Sequence, residues 1–265
     1  MEQQDLAARQ FGAMASRYLV SAVHASGADL DRLAGQARTR RPALALDLGC
    51  GAGHAGFALA RGGAGRVIAY DPARPMLDVV AAEAVARGLR QLETRAGPAE
   101  RLDFADSSFD MVVTRYSAHH WRDVPAAVRQ IARVLKPGAT AVVIDVVAPE
   151  DPLLDTSLQT VELLRDPAHV RNYRESEWRR MFEAAHLTLA GLHRWKLNLE
   201  FDGWVARIGT SAARVAALET VFDDLAEEAR RYFDVTAQRA FSIDAAWFEV
   251  GLTQDPGRRS HSPSE

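Results

Sequence analysis

The segment Leu46-Asp47-Leu48-Gly49-Cys50-Gly51-Ala52-Gly53 constrains the fold of this chain more than any other. An apolar run over residues 43–48 is stopped by three glycines at alternate positions, the pattern of a buried strand entering a tight turn. Glycine lets the backbone bend sharply there and come close to a ligand. Strand and helix patterns then alternate. Strands are predicted at residues 66–70, 92–95, 109–114 and 141–147, and helices at 53–60 and 75–86. A further helix carries Val124, Val128, Ile131 and Leu135 on one face and ends at Pro137-Gly138. This alternation predicts an α/β fold with a doubly wound, mostly parallel sheet covered on both faces.

The flanks read differently. Residues 5–35 have helical spacing, with Phe11, Met14, Tyr18 and Ala22 three and four apart, and the arginine-rich residues 36–42 read as a connection. After Pro149 the pattern loosens: a helix at 151–164, a connector and irregular stretch to 174, a helix at 175–185, a strand at 187–197, helical residues 204–232 and a last strand at 245–252. The expectation is one domain over residues 1–252. In it, cap helices (1–42) precede a ligand-binding core (43–148) and a C-terminal part (149–252) whose helices cover the substrate. A polar tail, 253–265, is expected to be disordered.

Composition narrows the function classes. The 265 residues are 48% hydrophobic and 25% charged, with a formal net charge of −3, ordinary for a globular protein and without the basic footprint that nucleic acid requires. A single cysteine, Cys50, excludes an internal disulfide framework and a multi-cysteine metal site. The most apolar stretch, around residues 140–148, is interrupted by Asp145 and is too short to span a membrane. No signal-peptide pattern is present, so a cytoplasmic protein with a small-molecule partner is expected, with a homodimer left open.

Asp71 closes the next predicted strand about 20 residues after the turn, where a carboxylate can accept hydrogen bonds from ribose hydroxyls. The dinucleotide fingerprint G-x-G-x-x-G differs from the G-x-G-x-G found here, and Asp47 just before it would repel a pyrophosphate. A carboxylate at that place suits a ligand bearing an ammonium group. S-adenosylmethionine, which adds a sulfonium, is favoured over NAD.

With these stretches, Ala69-Tyr70-Asp71, residues 99–110 and Leu135-Lys136-Pro137-Gly138, the chain resembles the class I S-adenosylmethionine-dependent methyltransferases. Within them it is similar to the small-molecule branch that includes the ubiquinone/menaquinone C-methyltransferases. The resemblance implies a Rossmann-like fold with S-adenosyl-L-methionine as cofactor. It implies that Gly49, Cys50, Gly51 and Gly53 pass under the methionine part, that Asp47 holds the ammonium and that Asp71 holds the ribose. Pro72 and Met76 would flank the adenine, with Ala99 and Glu100 at its edge; an acid common in the family is replaced here by Pro98. Tyr18, with His24 one to two turns away, lies on a helix that folds over the cofactor in similar proteins, and Arg115, just after the fourth strand, is a further cofactor-binding candidate.

Methyl transfer is an in-line displacement at an already activated carbon, so a base is needed only when the acceptor must lose a proton. The segment Arg115-Tyr116-Ser117-Ala118-His119-His120-Trp121 follows the fourth strand, close to the methyl in this architecture. His119 and His120 are either a general base or a helix cap packed on Trp121. Adjacent histidines cannot readily share one metal ion, so none is expected. Tyr116, Trp121, Tyr173 and Trp204 are candidates for an apolar or aromatic acceptor pocket, or core residues. Thr114-Arg115-Tyr116-Ser117 stands where a base- or glutamine-methylating enzyme has its Pro-Pro motif. The predicted reaction is methyl transfer to carbon or oxygen of a small metabolite. An NAD(P)-dependent oxidoreductase and a non-catalytic S-adenosylmethionine-binding module are the alternatives.

Overall fold

The computed structural model describes residues 26–253. Tyr18, His24, most of the expected cap and residues 254–265 of the expected tail lie outside the described residues. Helix α1 (Ala28–Arg40) leads into β1 (Leu44–Leu48), α2 (His54–Arg61), β2 (Arg66–Asp71), α3 (Arg74–Ala86), β3 (Leu92–Ala96) and β4 (Phe109–Arg115). A short 3-10 turn (Ala118–His120) precedes α4 (Val124–Val134), β5 (Leu135–Val146), α5 (Pro152–Arg165), α6 (Glu175–Ala184) and β6 (Leu187–Leu199). The helices α7 (Phe201–Ile208), α8 (Ala212–Asp223) and α9 (Glu227–Tyr232) and the strand β7 (Phe241–Leu252) complete it.

The strands form one 7-stranded sheet in the order β3-β2-β1-β4-β5-β7-β6. Strands β1 to β5 run parallel, and β7 runs antiparallel to both of its neighbours, β5 and β6. Winding reverses between β1 and β4, and a doubly wound sheet opens a ligand crevice beyond the carboxyl ends of its strands at that point. Alternation along the strands builds a core on each face. Leu46, Leu48, Val112 and Val143 pack with Val128 and Ile131 of α4 and Trp178 and Phe182 of α6. Ala45, Val113 and Ile144 face the other way, toward Leu33 of α1, Phe57 of α2 and Val80 of α3. A third cluster joins α5, α7 and α8 to the ends of β6 and β7 through Leu158, Trp204, Phe222, Phe241 and Ile243.

The expected layout holds with several corrections. The arginine-rich residues 36–40 are the last turn of α1, not a connection: Ala37 is buried while Arg38 and Arg40 sit at the negative end of the helix dipole, and Gln36 and Arg40 both donate to Glu249. Strand β5 starts at Leu135, opposite Phe109, and Thr140 pairs with Met111, so Pro137 and Gly138 form a bulge inside it. The helical stretch predicted at 204–232 is three helices, the first ended by Gly209 at φ 70°. Strands β6 and β7 are longer than predicted, because they pair from Leu187↔Leu252 to Leu199↔Phe241. No helix among the described residues is long and apolar enough to cross a membrane.

Candidate functional site

A cavity opens at the carboxyl ends of β1, β2, β4 and β5 and runs under α5 and α7. Its first half is built on the glycine turn. Gly49, Gly51 and Gly53 all have positive φ, at 66°, 48° and 82°. A side chain on Gly49 would strike Ser117, whereas one on Gly51 would meet nothing within 4 Å. Gly53 does not line the cavity: it opens α2 and packs against Val80 and Phe57.

Four N–H groups of the turn are taken up by the protein itself, three of them by β2. Gly49 and Cys50 donate to the Tyr70 carbonyl at 2.8 and 3.1 Å, Gly53 donates to the Cys50 carbonyl at 2.8 Å, and Gly51 donates to Asp71 Oδ2 at 3.0 Å. Asp71 Oδ1 accepts from Ala73 N at 2.8 Å, so its two backbone donors fix a carboxylate that also lines the cavity. Burial raises its pKa, opposed by those donors. Asp47, 1% exposed, accepts from Gly56 N at 2.6 Å. Burial pushes its pKa up to about 7; the Gly56 N–H opposes this, Asp71 adds to it and Arg115 counters it. Burial likewise pushes the Cys50 thiol up, with Asp71 and Asp47 adding to it, which makes it an inert wall residue rather than a nucleophile. Pro72, Met76, Ala99 and Glu100 line the same half. Glu100 also accepts from Arg122 N at 3.0 Å and so ties this wall to the start of α4. Arg115 lines the floor and is paired with Asp29 of α1 at 2.6 Å, with both side chains largely buried.

The second half centres on His119. Its Nδ1 lies 2.6 Å from Asp145 Oδ1, and only a donor there suits a carboxylate. Asp145 is itself fixed by the N–H groups of Val146, Ala118 and His119 at 2.8, 2.9 and 3.3 Å. Loop residues Val170 and Arg171 donate to the His119 carbonyl, holding it from the other side. Burial opposes the imidazolium, but the charge and hydrogen bond of Asp145, with Glu162 and Asp166, outweigh it and raise the His119 pKa. His120 is the opposite case. Its Nδ1 donates to the Ala168 carbonyl at 3.2 Å, and burial, then the neighbouring His119, lower its pKa to about 4 despite Asp166. His169, 5.8 Å from the His119 ring, falls to about 2, through burial and then both other histidines.

Tyr116, Trp121 and Trp204 line the cavity; Tyr173 does not, and instead packs edge-on against Trp178 at 6.0 Å. Trp121 Nε1 donates to Ser117 Oγ at 3.0 Å, which locks the loop after β4 against the glycine turn. Leu197, Leu199, Ile243 and Val146 form an apolar wall, and the buried Asn172 presents an amide nitrogen without a hydrogen-bond partner among the described residues. Sequence reasoning missed Asp145, Glu162, Asp166 and Asn172. Asp145 had a signal, an acid at the end of an otherwise apolar strand; the others have none before the fold brings them in. No group of three or more metal-ligating side chains occurs among the described residues.

Comparisons with known proteins bear on the family and the fold. A family model described as a methyltransferase domain matches residues 46–143. The Escherichia coli (strain K12) protein YafE is 48% identical over 178 residues, 67% of this chain and 86% of its own length. The methyltransferase YcgJ of Bacillus subtilis (strain 168) is 38% identical over 226 residues, 85% of this chain and 89% of its own. The crystal structure of YcgJ superposes with a TM-score of 0.81 over 85% of this chain and 98% of that one, at 35% identity. The 2-phytyl-1,4-naphtoquinone methyltransferase of Synechococcus elongatus is 39% identical over 113 residues, 41% of this chain and 48% of its own. The chain belongs to the methyltransferase-domain family and has the class I methyltransferase fold.

Proposed function

We propose that this protein transfers a methyl group from S-adenosyl-L-methionine to carbon or oxygen of a small, apolar or aromatic metabolite. The observation that carries the reading is the chemistry of the glycine turn. Its N–H groups at Gly49, Cys50, Gly51 and Gly53 are consumed internally, and buried carboxylates stand on either side of it. Such a turn offers negative charge to a cation rather than donors to a phosphate, which favours an ammonium- and sulfonium-bearing ligand over NAD(P). Gly49, Cys50 and Gly51 would run along the methionine part, with Asp47 opposite its ammonium. Asp71 would accept from the ribose hydroxyls with the lone pairs its two backbone donors leave open. Pro72, Met76 and Ala99 supply apolar surface for the adenine, with Glu100 and Arg115 at the margins.

The cofactor supplies a methyl group already activated by its sulfonium. The protein therefore has to align the acceptor, exclude water and dispose of any proton. The apolar wall of Leu197, Leu199, Trp204 and Ile243 supports an acceptor with a flat or aliphatic body. The held His119 supports turnover rather than mere binding.

Calorimetric titration with S-adenosylhomocysteine and with NAD tests the cofactor. Binding of the first and not the second is expected; the reverse result would sink the reading. Asp71→Ala should weaken S-adenosylhomocysteine at least tenfold. Because it also strips acceptors from Gly51 and Ala73, urea unfolding of the variant must show it folded, and unchanged affinity would reject the ribose assignment. Transfer of labelled methyl into a metabolite extract then separates an enzyme from a binding module.

A further inference from the structure

We propose that Asn172 is a specificity-determining residue whose side-chain amide donates a hydrogen bond to an uncharged oxygen of the acceptor, a carbonyl or a hydroxyl. The inference rests on the methyl-transfer reading and deepens it by naming a group that the acceptor carries. Asn172 is 1% exposed and lines the cavity, yet its Nδ2 has no hydrogen-bond partner among the described residues. A buried amide left unpaired costs free energy, and such groups are paired as a rule. Here the unpaired donor belongs to a cavity wall, where an incoming ligand supplies the partner.

The position is built. Gln159 of α5 clamps the Asn172 backbone on both sides: its Oε1 accepts from Asn172 N at 3.0 Å, and its Nε2 donates to the Asn172 carbonyl at 2.7 Å. Just before Asn172, the N–H groups of Val170 and Arg171 donate to the His119 carbonyl at 2.8 and 3.2 Å. Just after it, the Tyr173 carbonyl accepts from Ala148 N at 3.1 Å. Arg171 and Arg174 both reach Asp155 of α5, at 2.9 and 2.6 Å. These ties to the loop after β4, the end of β5 and α5 fix the backbone that carries the amide. A donor fixed before its ligand arrives discriminates, because a ligand without a matching acceptor leaves it unpaired.

The charges around it select against an anion. Glu162 and Asp166 line this half of the cavity together with Arg165 and Arg207, so acids answer arginines. Arg165 is already engaged: Nε donates to the Trp204 carbonyl at 3.0 Å, Nη1 lies 3.6 Å from Glu162, and the guanidinium stands over the Trp204 ring. Arg207 favours the charged form of Glu162. Arg115 and His119 are paired with Asp29 and Asp145, while Asp47 and Asp71 add negative charge at the glycine turn. A carboxylate or phosphate entering this cavity finds no surplus of positive charge to offset its desolvation. An uncharged oxygen on an apolar body fits both the waiting amide and the wall of Val146, Leu197, Leu199 and Ile243.

The test measures the affinity of the full chain for probes of similar size, acetophenone, 1-phenylethanol, ethylbenzene and benzoate, by ligand-observed NMR with and without S-adenosylhomocysteine. In wild type, acetophenone or 1-phenylethanol should bind about tenfold more tightly than ethylbenzene, with benzoate weaker than the better of the two. N172L keeps the branched shape and removes the donor. In it that preference should shrink to within about twofold, with S-adenosylhomocysteine affinity within about threefold of wild type. Such a coupling between the probe oxygen and the amide is one that a merely structural residue would not show. N172A carries the same comparison should N172L not fold. No oxygen preference in wild type, a preference that survives in the variant, or benzoate bound most tightly would overturn the proposal. So would a protein that binds S-adenosylhomocysteine and none of the probes, and in all these cases the cofactor reading stands. Failure to bind S-adenosylhomocysteine, with the oxygen preference and its loss intact, would instead overturn the methyl-transfer reading and leave Asn172 as the donor to a ligand oxygen.

Discussion

Replacing Asp47 by Asn should stabilise the ligand-free protein and weaken its grip on the cofactor. The Asp47 carboxyl has an ordinary pKa of 3.8 and is pushed up to about 7 in the fold, chiefly by burial. The folded state therefore binds this proton more tightly than the unfolded chain. Stability falls as pH rises from 3.8 to about 7 and stays lowered above that. The gap corresponds to about 4 kcal/mol at pH 8, of which somewhat less than half has already been lost by pH 5. Asparagine removes the charge and keeps an oxygen to accept from Gly56 N, now at 2.6 Å. The stabilisation by D47N, from urea unfolding of both proteins, should be larger at pH 8 than at pH 5 by roughly 2–3 kcal/mol. At pH 8 calorimetry should show S-adenosylhomocysteine bound at least tenfold more weakly, because the carboxylate opposite its ammonium is gone. A D47N effect that is the same at both pH values, or a variant less stable than wild type at pH 8, would refute the reasoning.

G49A and G51A should part company. Both put a side chain at positive φ, a cost of about 1–2 kcal/mol, but at Gly49 the new carbon would also lie 2.8 Å from Ser117 Cβ, adding about 1–3 kcal/mol of overpacking. Equal losses in urea unfolding would reject the assigned role of Ser117, and S117G should recover part of the G49A loss. His169 has a pKa of about 2 in the fold, so as pH falls through 6.5 the unfolded chain takes up the proton first and stability drops. From pH 6.5 to 5, wild type should lose about 2 kcal/mol more than H169Q; parallel unfolding curves would contradict the burial of a neutral imidazole.

The glycine-turn half of the cavity was legible because its signal is local. Glycines at 49, 51 and 53 need positive φ, Asp47 sits two residues before them, and Asp71 ends the very next strand, so one strand–helix–strand unit carries both the fold and the ligand chemistry. The acceptor half was only half legible. His119 and His120 are equivalent in sequence and become opposites in space, because Asp145 from β5 reaches one ring while the Ala168 carbonyl takes the other. Glu162 and Asp166 enter through the packing of α5, which no local pattern encodes. Tyr173 looked like a pocket residue because aromatic residues in a loosely patterned region can face either way, and Trp178 claims it for the core. The helix ends at 36–40 were misread for a simpler reason, since an arginine-rich exposed face has the composition of a loop.

The contact between Gly49 and Ser117, with Trp121 bonded to Ser117, has a consequence for how such a protein can diversify. The loop after β4 abuts the glycine turn, so on the proposed reading changes at its base that suit a new acceptor will disturb cofactor affinity at the same time. The walls contributed by Leu199, Trp204 and Ile243 belong to a separate cluster with its own core. A library aimed at new acceptors should therefore vary those positions and leave Ser117 and Trp121 untouched, and retained S-adenosylhomocysteine binding would be the first screen for that independence.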